Sequence, residues 1–406
     1  MAEPNFDIIV YGATSFVGQI MTRYMRDAFA DEPITWAIAG RSQDKLEKLS
    51  RDAGLTDIPI LLADAKDEAA LTAMCARANT IVSTVGPYAL YGDSLVKLCA
   101  GSGTHYCDLT GEPQWIRKMQ LAHEETAKKS GARIVHCCGF DSIPSDLGVH
   151  FLQKHAQKQF GQTCNRVKMR VEKMKGGASG GTVASLINMV KEAARDPDLR
   201  RQLKDPYSLC PPGHGFTARQ ATVKTAYDAD YDSWVAPFVM EAINVRVVHR
   251  SNALSGNKYG DDFTYQEAIS TGAGGRGRRR ARAVSLGMGS LMAGVAIPPT
   301  RWILQSLVLP KPGEGPSEKQ QLAGHFDLVF LGTTPGGETI RCRVTGDRDP
   351  GYGSTAKMLA QAAACLAKDL PKRAKGGFWT PATLMGDKLI KRLQAHAGLT
   401  FDVLAG

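Results

Sequence analysis

Over its first 140 residues the chain alternates short apolar runs rich in β-branched residues with amphipathic stretches. The runs lie at 6–11, 34–40, 58–63, 80–85, 105–109 and 132–138. Between them, stretches such as "SQDKLEKLSRDAG" and "DEAALTAMCARA" place apolar residues at i, i+3 and i+4, the helical period. Strands that alternate with helices pair in parallel through right-handed crossovers. The expected class is therefore α/β, a Rossmann doubly wound parallel sheet with its strands in the order 3-2-1-4-5-6.

That frame gives meaning to "IIVYGATSFVGQI" at 8–20. Gly12 follows the first strand and allows a tight turn, while Gly18 lets the next helix approach that strand closely. The backbone of Ala13, Thr14, Ser15, Phe16 and Val17 would then face an anion at the helix N-terminus. Ser15 stands where a third glycine is expected; its Cβ crowds a phosphate, and its hydroxyl offers a hydrogen bond in return. The other reading is a packing turn with no ligand. The second strand ends with Arg41, Ser42 and, one turn on, Lys45, where an NAD site would carry an acidic residue. A guanidinium forks onto phosphate oxygens, so the set favours the 2′-phosphate of NADP. Asp64 after the third strand either approaches the adenine amino group or caps a helix. Val85, Gly86 and Pro87 after the fourth strand are expected near the ribose and nicotinamide. Tyr88 and Tyr91, on the same loop, either serve a carbonyl there or pack.

The net charge of +10 favours anionic partners. Nine cysteines, odd in number and without a C-x-x-C pair, read as reduced thiols of a cytoplasmic protein. The acidic N-terminus lacks the features of a signal peptide. The histidines show no metal-ligand spacing, so a metal-free protein is expected.

From about residue 148 the alternation ends. Residues 166–174 and 243–254 read as strands, and the Gly-rich stretch at 176–181 as the entry to a helix. That stretch lacks the Gly-Lys-Ser/Thr of a phosphate loop. Residues 205–215 read as an exposed loop and 310–319 as a surface linker. In the segment 276–309, Arg276, Arg278, Arg279, Arg280 and Arg282 run into uncharged residues 283–300, followed by Trp302. Three occupants fit such a segment: an anionic membrane surface, a second copy in a homodimer, or a docking partner. The basic tract lacks interleaved aromatics, which argues against nucleic acid.

Three further stretches complete a pattern: "GTHYCDLTGE" (103–112), "CGFDSIPSDLG" (138–148) and "GGFWTPATLMGD" (376–387). With "YGATSFVG" and "VGPYALYG" they resemble the saccharopine dehydrogenase-like oxidoreductases, and most closely the trans-acting enoyl reductases that serve lipid-making polyketide synthases. The likeness continues through "DPYSL", "RSNALS" and "PKPGEGPS". It implies an NADP-binding Rossmann domain over residues 1–150, completed by about 351–406, and a second α/β (α+β) domain over 151–350. It implies NADPH as cofactor and hydride transfer to a C=C bond of a small-molecule or carrier-bound acyl substrate, with a polyketide or fatty-acid synthase as possible partner. Two alternatives stay open: saccharopine-type chemistry on a C–N bond, and a non-catalytic lipid-surface protein that keeps the fold. Enoyl reduction needs a donor for the thioester oxygen and a proton for the α-carbon. Tyr88, Tyr91, Asp108, Thr110, Glu112 and the loop from Gly139 to Ser142 are the candidates, although "DLTGEP" also reads as a strand end and helix start, with Thr110 or Glu112 capping.

Overall fold

The computed structural model describes residues 5–177, 180–297, 299–302, 314–371 and 373–405. The chain forms two compact units. The first contains the residues up to Ile143 and Gly351–Gly398. Its strands are β1 (Phe6–Tyr11), β2 (Trp36–Gly40), β3 (Ile60–Leu62), β4 (Ala78–Ser83), β5 (His105–Asp108) and β6 (Arg133–Val135). They pair in parallel in the order β3-β2-β1-β4-β5-β6, the Rossmann order. A seventh parallel strand, Gly377–Trp379, comes back from the C-terminal part to extend the sheet beyond β6.

Ile8, Ile9, Val10, Ile38, Ile81 and Val82 are fully buried at the centre of this sheet. Each such side chain contributes about 1.5–3 kcal/mol by leaving water. Helix α1 (Phe16–Ala28) buries Val17, Met21 and Met25, which its i, i+4 spacing sets on one face. Several strands are shorter than their apolar runs. Pro59 has no N–H for the ladder before β3, and β6 stops at Val135 because Cys137 adopts a positive φ of 62°.

The stretch from Thr355 reads as an amphipathic helix, yet helix Thr355–Ala364 buries every residue except Lys357. It packs on α1, β4 and β5, and its alanines allow that close approach. Arg392 fixes the same C-terminal region by ion pairs to Asp369 (2.6 Å) and Glu32 (3.0 Å). Burial opposes its charge, but the two carboxylates win and hold its pKa above the ordinary value.

The second unit starts at Pro144 and takes in Pro316–Pro350 and residues from Leu399. Its mixed seven-stranded sheet runs Leu399–Val403, Thr339–Gly346, His325–Thr333, Arg166–Lys175, Thr264–Gly272, Ser233–Pro237 and Ala226–Asp228. The last strand of the chain therefore pairs in this sheet rather than returning to the first.

Two expectations are corrected here. Residues 243–254 form helix Glu241–Leu254, not a strand. The apolar–polar alternation of "INVRVV" misleads because Ile243 to Asn252 are all buried, polar residues included. Asn244 donates to Glu267 (2.9 Å) and Arg246 to the Ser208 hydroxyl (3.0 Å). In the same way Tyr207 to Cys210, expected in an exposed loop, are buried, and Ser208 among them accepts the Arg246 bond. After the Gly-rich stretch a helix begins at Gly180; Ala178 and Ser179 lie outside the described residues, as do 303–309 and 310–313. All nine cysteines are buried, unbridged thiols.

Candidate functional site

Gly12 leaves β1 with φ +87°, a conformation that suits glycine, and a Cβ there would stand 2.6 Å from Val85. At Gly18 an added Cβ would meet the Gly12 carbonyl at 2.4 Å. Both glycines are thus required by close packing of the turn. Gly18→Ala is expected to destabilise the protein by about 1–3 kcal/mol through backbone displacement; an unchanged thermal midpoint would contradict that.

Ser15 has a role that the sequence did not disclose. It is the N-cap of α1, and its hydroxyl accepts the Gly18 N–H at 2.9 Å and donates to the Thr84 hydroxyl at 2.9 Å. Thr84 in turn donates to the Gly12 carbonyl at 2.8 Å. The serine therefore braces the turn against the end of β4, where the expectation was a direct phosphate donor. Among the described residues the amides of Thr14, Phe16 and Val17 have no acceptor. Unspent N–H groups at a helix N-terminus form a receptor for an anion. The turn fits a pyrophosphate.

Arg41 and Lys45 are exposed at the end of β2 and on the following helix, Gln43–Ala53. Ser42 sits at that helix's N-cap position without a side-chain cap bond. Asp64 accepts the Lys66 N–H at 2.9 Å, while Asp67 caps the next helix through Ala70, which corrects the capping alternative for Asp64. Tyr11, at the end of β1, is pushed up to about 12 by burial and the Asp64 carboxylate, with the Arg41 cation opposing. Arg41 and Asp64 thus both lie within electrostatic reach of the carboxyl end of β1. The open cations fit the 2′-phosphate of NADP.

After β4, Val85, Gly86 and Pro87 lead through a cis Gly86–Pro87 peptide into the short helix Tyr88–Tyr91. Tyr88 is buried; its hydroxyl donates to the Ser83 carbonyl (2.9 Å) and its ring lies 5.4 Å from that of Trp115. Burial and the nearby Asp108 carboxylate push its pKa well up. Glu112, also buried, accepts the Tyr88 and Ala89 N–H groups, each at 2.9 Å. In this structure both residues hold the loop and turn inward. Glu112→Ala is expected to cost about 1–3 kcal/mol by orphaning those amides, read as a lowered thermal midpoint. Tyr91 differs, with 39% of its surface exposed.

At the carboxyl ends of β5 and β6 the buried Asp108 takes a hydrogen bond from Tyr106 (3.0 Å), pairs with His136 Nδ1 (2.7 Å) and accepts the Thr110 and Cys137 amides. Thr110 accepts the Glu112 N–H, and Glu112 stands at the N-cap position of helix Pro113–Ser130 without a side-chain cap bond. Next to them stands Asp141, whose pKa is pushed up to about 7 by burial and then by the Asp108 charge. The sequence singled out Asp108 and Thr110 by name, but Asp141 only as part of the loop from Gly139 to Ser142. Thr84 and His136 were missed, although both follow strand ends, where crevice residues gather. Among the described residues no three of His, Cys, Asp and Glu gather to hold a metal ion.

Known proteins resemble this chain in its nucleotide-binding region and beyond it. Residues 8–135 match the profile of the saccharopine dehydrogenase NADP binding domain. A Mycobacterium tuberculosis (strain ATCC 25618 / H37Rv) protein, provisionally named a trans-acting enoyl reductase, is 40% identical over 98% of this chain and 97% of its own. A second protein of that strain, named trans-acting enoyl reductase, is 37% identical over 97% and 96%. Saccharopine dehydrogenase (L-Glu forming) from Saccharomyces cerevisiae superposes with a TM-score of 0.55 at 11% identity, covering 98% of this chain and 99% of that one, a likeness of fold. The chain therefore belongs to the saccharopine dehydrogenase-like oxidoreductase family, with the trans-acting enoyl reductases as homologues, and is an NADP-dependent oxidoreductase.

Proposed function

We propose that the protein reduces the C=C bond of an enoyl thioester, carried to it in the cytoplasm by a lipid-making synthase. The names of its relatives point to that substrate class. The carrying observation is the state of the second unit's buried arginines. Binding an amino dicarboxylate for C–N chemistry calls for free guanidinium forks. Arg170 is already paired with Asp228 at 2.6 Å, Arg246 donates to Ser208 and to the Leu203 carbonyl, and Arg250 to the Leu209 carbonyl.

NADPH, when bound, supplies a hydride to the β-carbon. The Thr14, Phe16 and Val17 amides hold the pyrophosphate, and Arg41, Ser42 and Lys45 the 2′-phosphate. Ala13, Ser15 and the two glycines set the turn, while Asp64, Val85, Gly86 and Pro87 border the nucleotide. As charge builds on the thioester oxygen, the exposed Tyr91 phenol donates a hydrogen bond to it. The Asp141 carboxyl gives its proton to the α-carbon, which completes the saturated thioester. Tyr88 and Glu112 keep the loop of Tyr91 in place.

The test is spectrophotometric. NADPH oxidation with a medium-chain enoyl thioester is expected, with no NADP reduction on saccharopine. The opposite pattern would overturn the acyl reading.

A further inference from the structure

One exposed element goes beyond this activity and does not depend on it. Helix Gly274–Ala296 is divided along its length. Its first turns carry Arg276, Arg278, Arg279, Arg280 and Arg282, all exposed. From Ala283 to Thr300 the sequence has no charged residue. Leu286 is 71% exposed, Leu291, Met292 and Ile297 are also exposed, and Trp302 follows at 69%. Soluble surfaces seldom leave so many large apolar side chains uncovered within one short segment.

The N-terminal half of the helix is well anchored. Gly277 and Ala281 are buried, Ser285 shares a hydrogen bond with Thr225 at 2.6 Å, and Arg278 lies over the Trp234 ring at 5.3 Å. The remaining arginines form a collar where the uncharged part begins.

We propose that this helix docks the protein on an anionic lipid surface, its apolar end entering one leaflet and its arginines meeting the headgroups. Charge and shape both favour lipid over a second copy of the chain. At about 100° per residue, Leu286, Leu291 and Met292 do not share one face of the helix, which ends at Ala296. A flat protein partner would leave some of them in water, whereas acyl chains reach every exposed one, with Val295 turned inward against the protein. The fourteen helical residues from Ala283 to Ala296 reach about 21 Å, enough for one leaflet of a hydrocarbon core of about 30 Å and too short to cross it. Among the described residues no helix is long and apolar enough to cross a membrane. The collar supplies the second signal that stable surface attachment needs, and an exposed Trp suits the interface.

The experiment is sedimentation of the full chain with vesicles. The wild type is expected to sediment with vesicles of phosphatidylcholine and phosphatidylglycerol, and to be released by high salt or by omitting the anionic lipid. Leu286→Asp combined with Leu291→Asp should weaken sedimentation at least tenfold, and so should Arg279→Ser combined with Arg280→Ser. NADPH titration of each variant should match the wild type, which shows that it is folded and keeps this result separate from the acyl reading. Wild type that stays in solution with anionic vesicles would overturn the proposal. So would equal sedimentation of wild type and both variants, or a Leu286/Leu291 variant that changes only the oligomeric state in sedimentation velocity.

Discussion

Replacing Asp141 by Asn is expected to lower kcat for the enoyl thioester by about 10²- to 10⁴-fold, the usual worth of a positioned acid, with NADPH affinity unchanged. The wild-type rate should be level in mild acid and fall above pH 7, because the carboxyl, raised to about 7, then loses its proton. In Asp141→Asn that limb should vanish. The same shift has a thermodynamic sign. A carboxyl raised in the folded state contributes its full stability below the ordinary carboxylate range and loses it as pH climbs through about 7. The amide variant should thus melt higher than the wild type at pH 8 and show no such gain at pH 4. A variant with near-wild-type kcat would remove Asp141 from the chemistry. Equal melting differences at both pH values would remove the burial argument.

Arg41→Ala is the second large effect. Losing a charge-assisted bond to phosphate costs about 1.5–3 kcal/mol, or roughly 10- to 150-fold in NADPH affinity. NADH has no 2′-phosphate and should lose little. Fluorescence titration of both cofactors decides the matter: equal losses would show that Arg41 acts on the fold or on the shared part of the nucleotide. Lys45→Ala should give a smaller loss of the same selectivity, since a lone ammonium lacks the fork.

The parallel sheet was legible in the sequence because buried strands write continuous apolar runs, and crossovers leave little freedom in how to connect them. The cofactor turn was legible because steric demands at Gly12 and Gly18 leave a mark in residue type. The helix Glu241–Leu254 was not, since an element buried on every side has no polar face to reveal its period. Ser15 shows a different limit. Its partner Thr84 lies 69 positions away and is brought near only by pairing of β1 with β4. Asp141 was visible merely as part of a loop, because its perturbation comes from burial in the folded chain and then from Asp108, 33 positions away. Tyr88 and Glu112 follow the ends of β4 and β5, yet which way each side chain turns is set by packing with Trp115 and by the Ala89 amide.

The seventh parallel strand and the alanine-packed helix Thr355–Ala364 have a consequence for biosynthesis. A ribosome that has delivered all six leading strands has still not made the layer that seals them. Until Thr355–Ala364 emerges, the face of β4 and β5 that it covers remains open to water and to other nascent chains. The nucleotide-binding half is thus first in sequence but late to mature. C-terminal truncations, however far from Thr14, should yield aggregates rather than a trimmed enzyme.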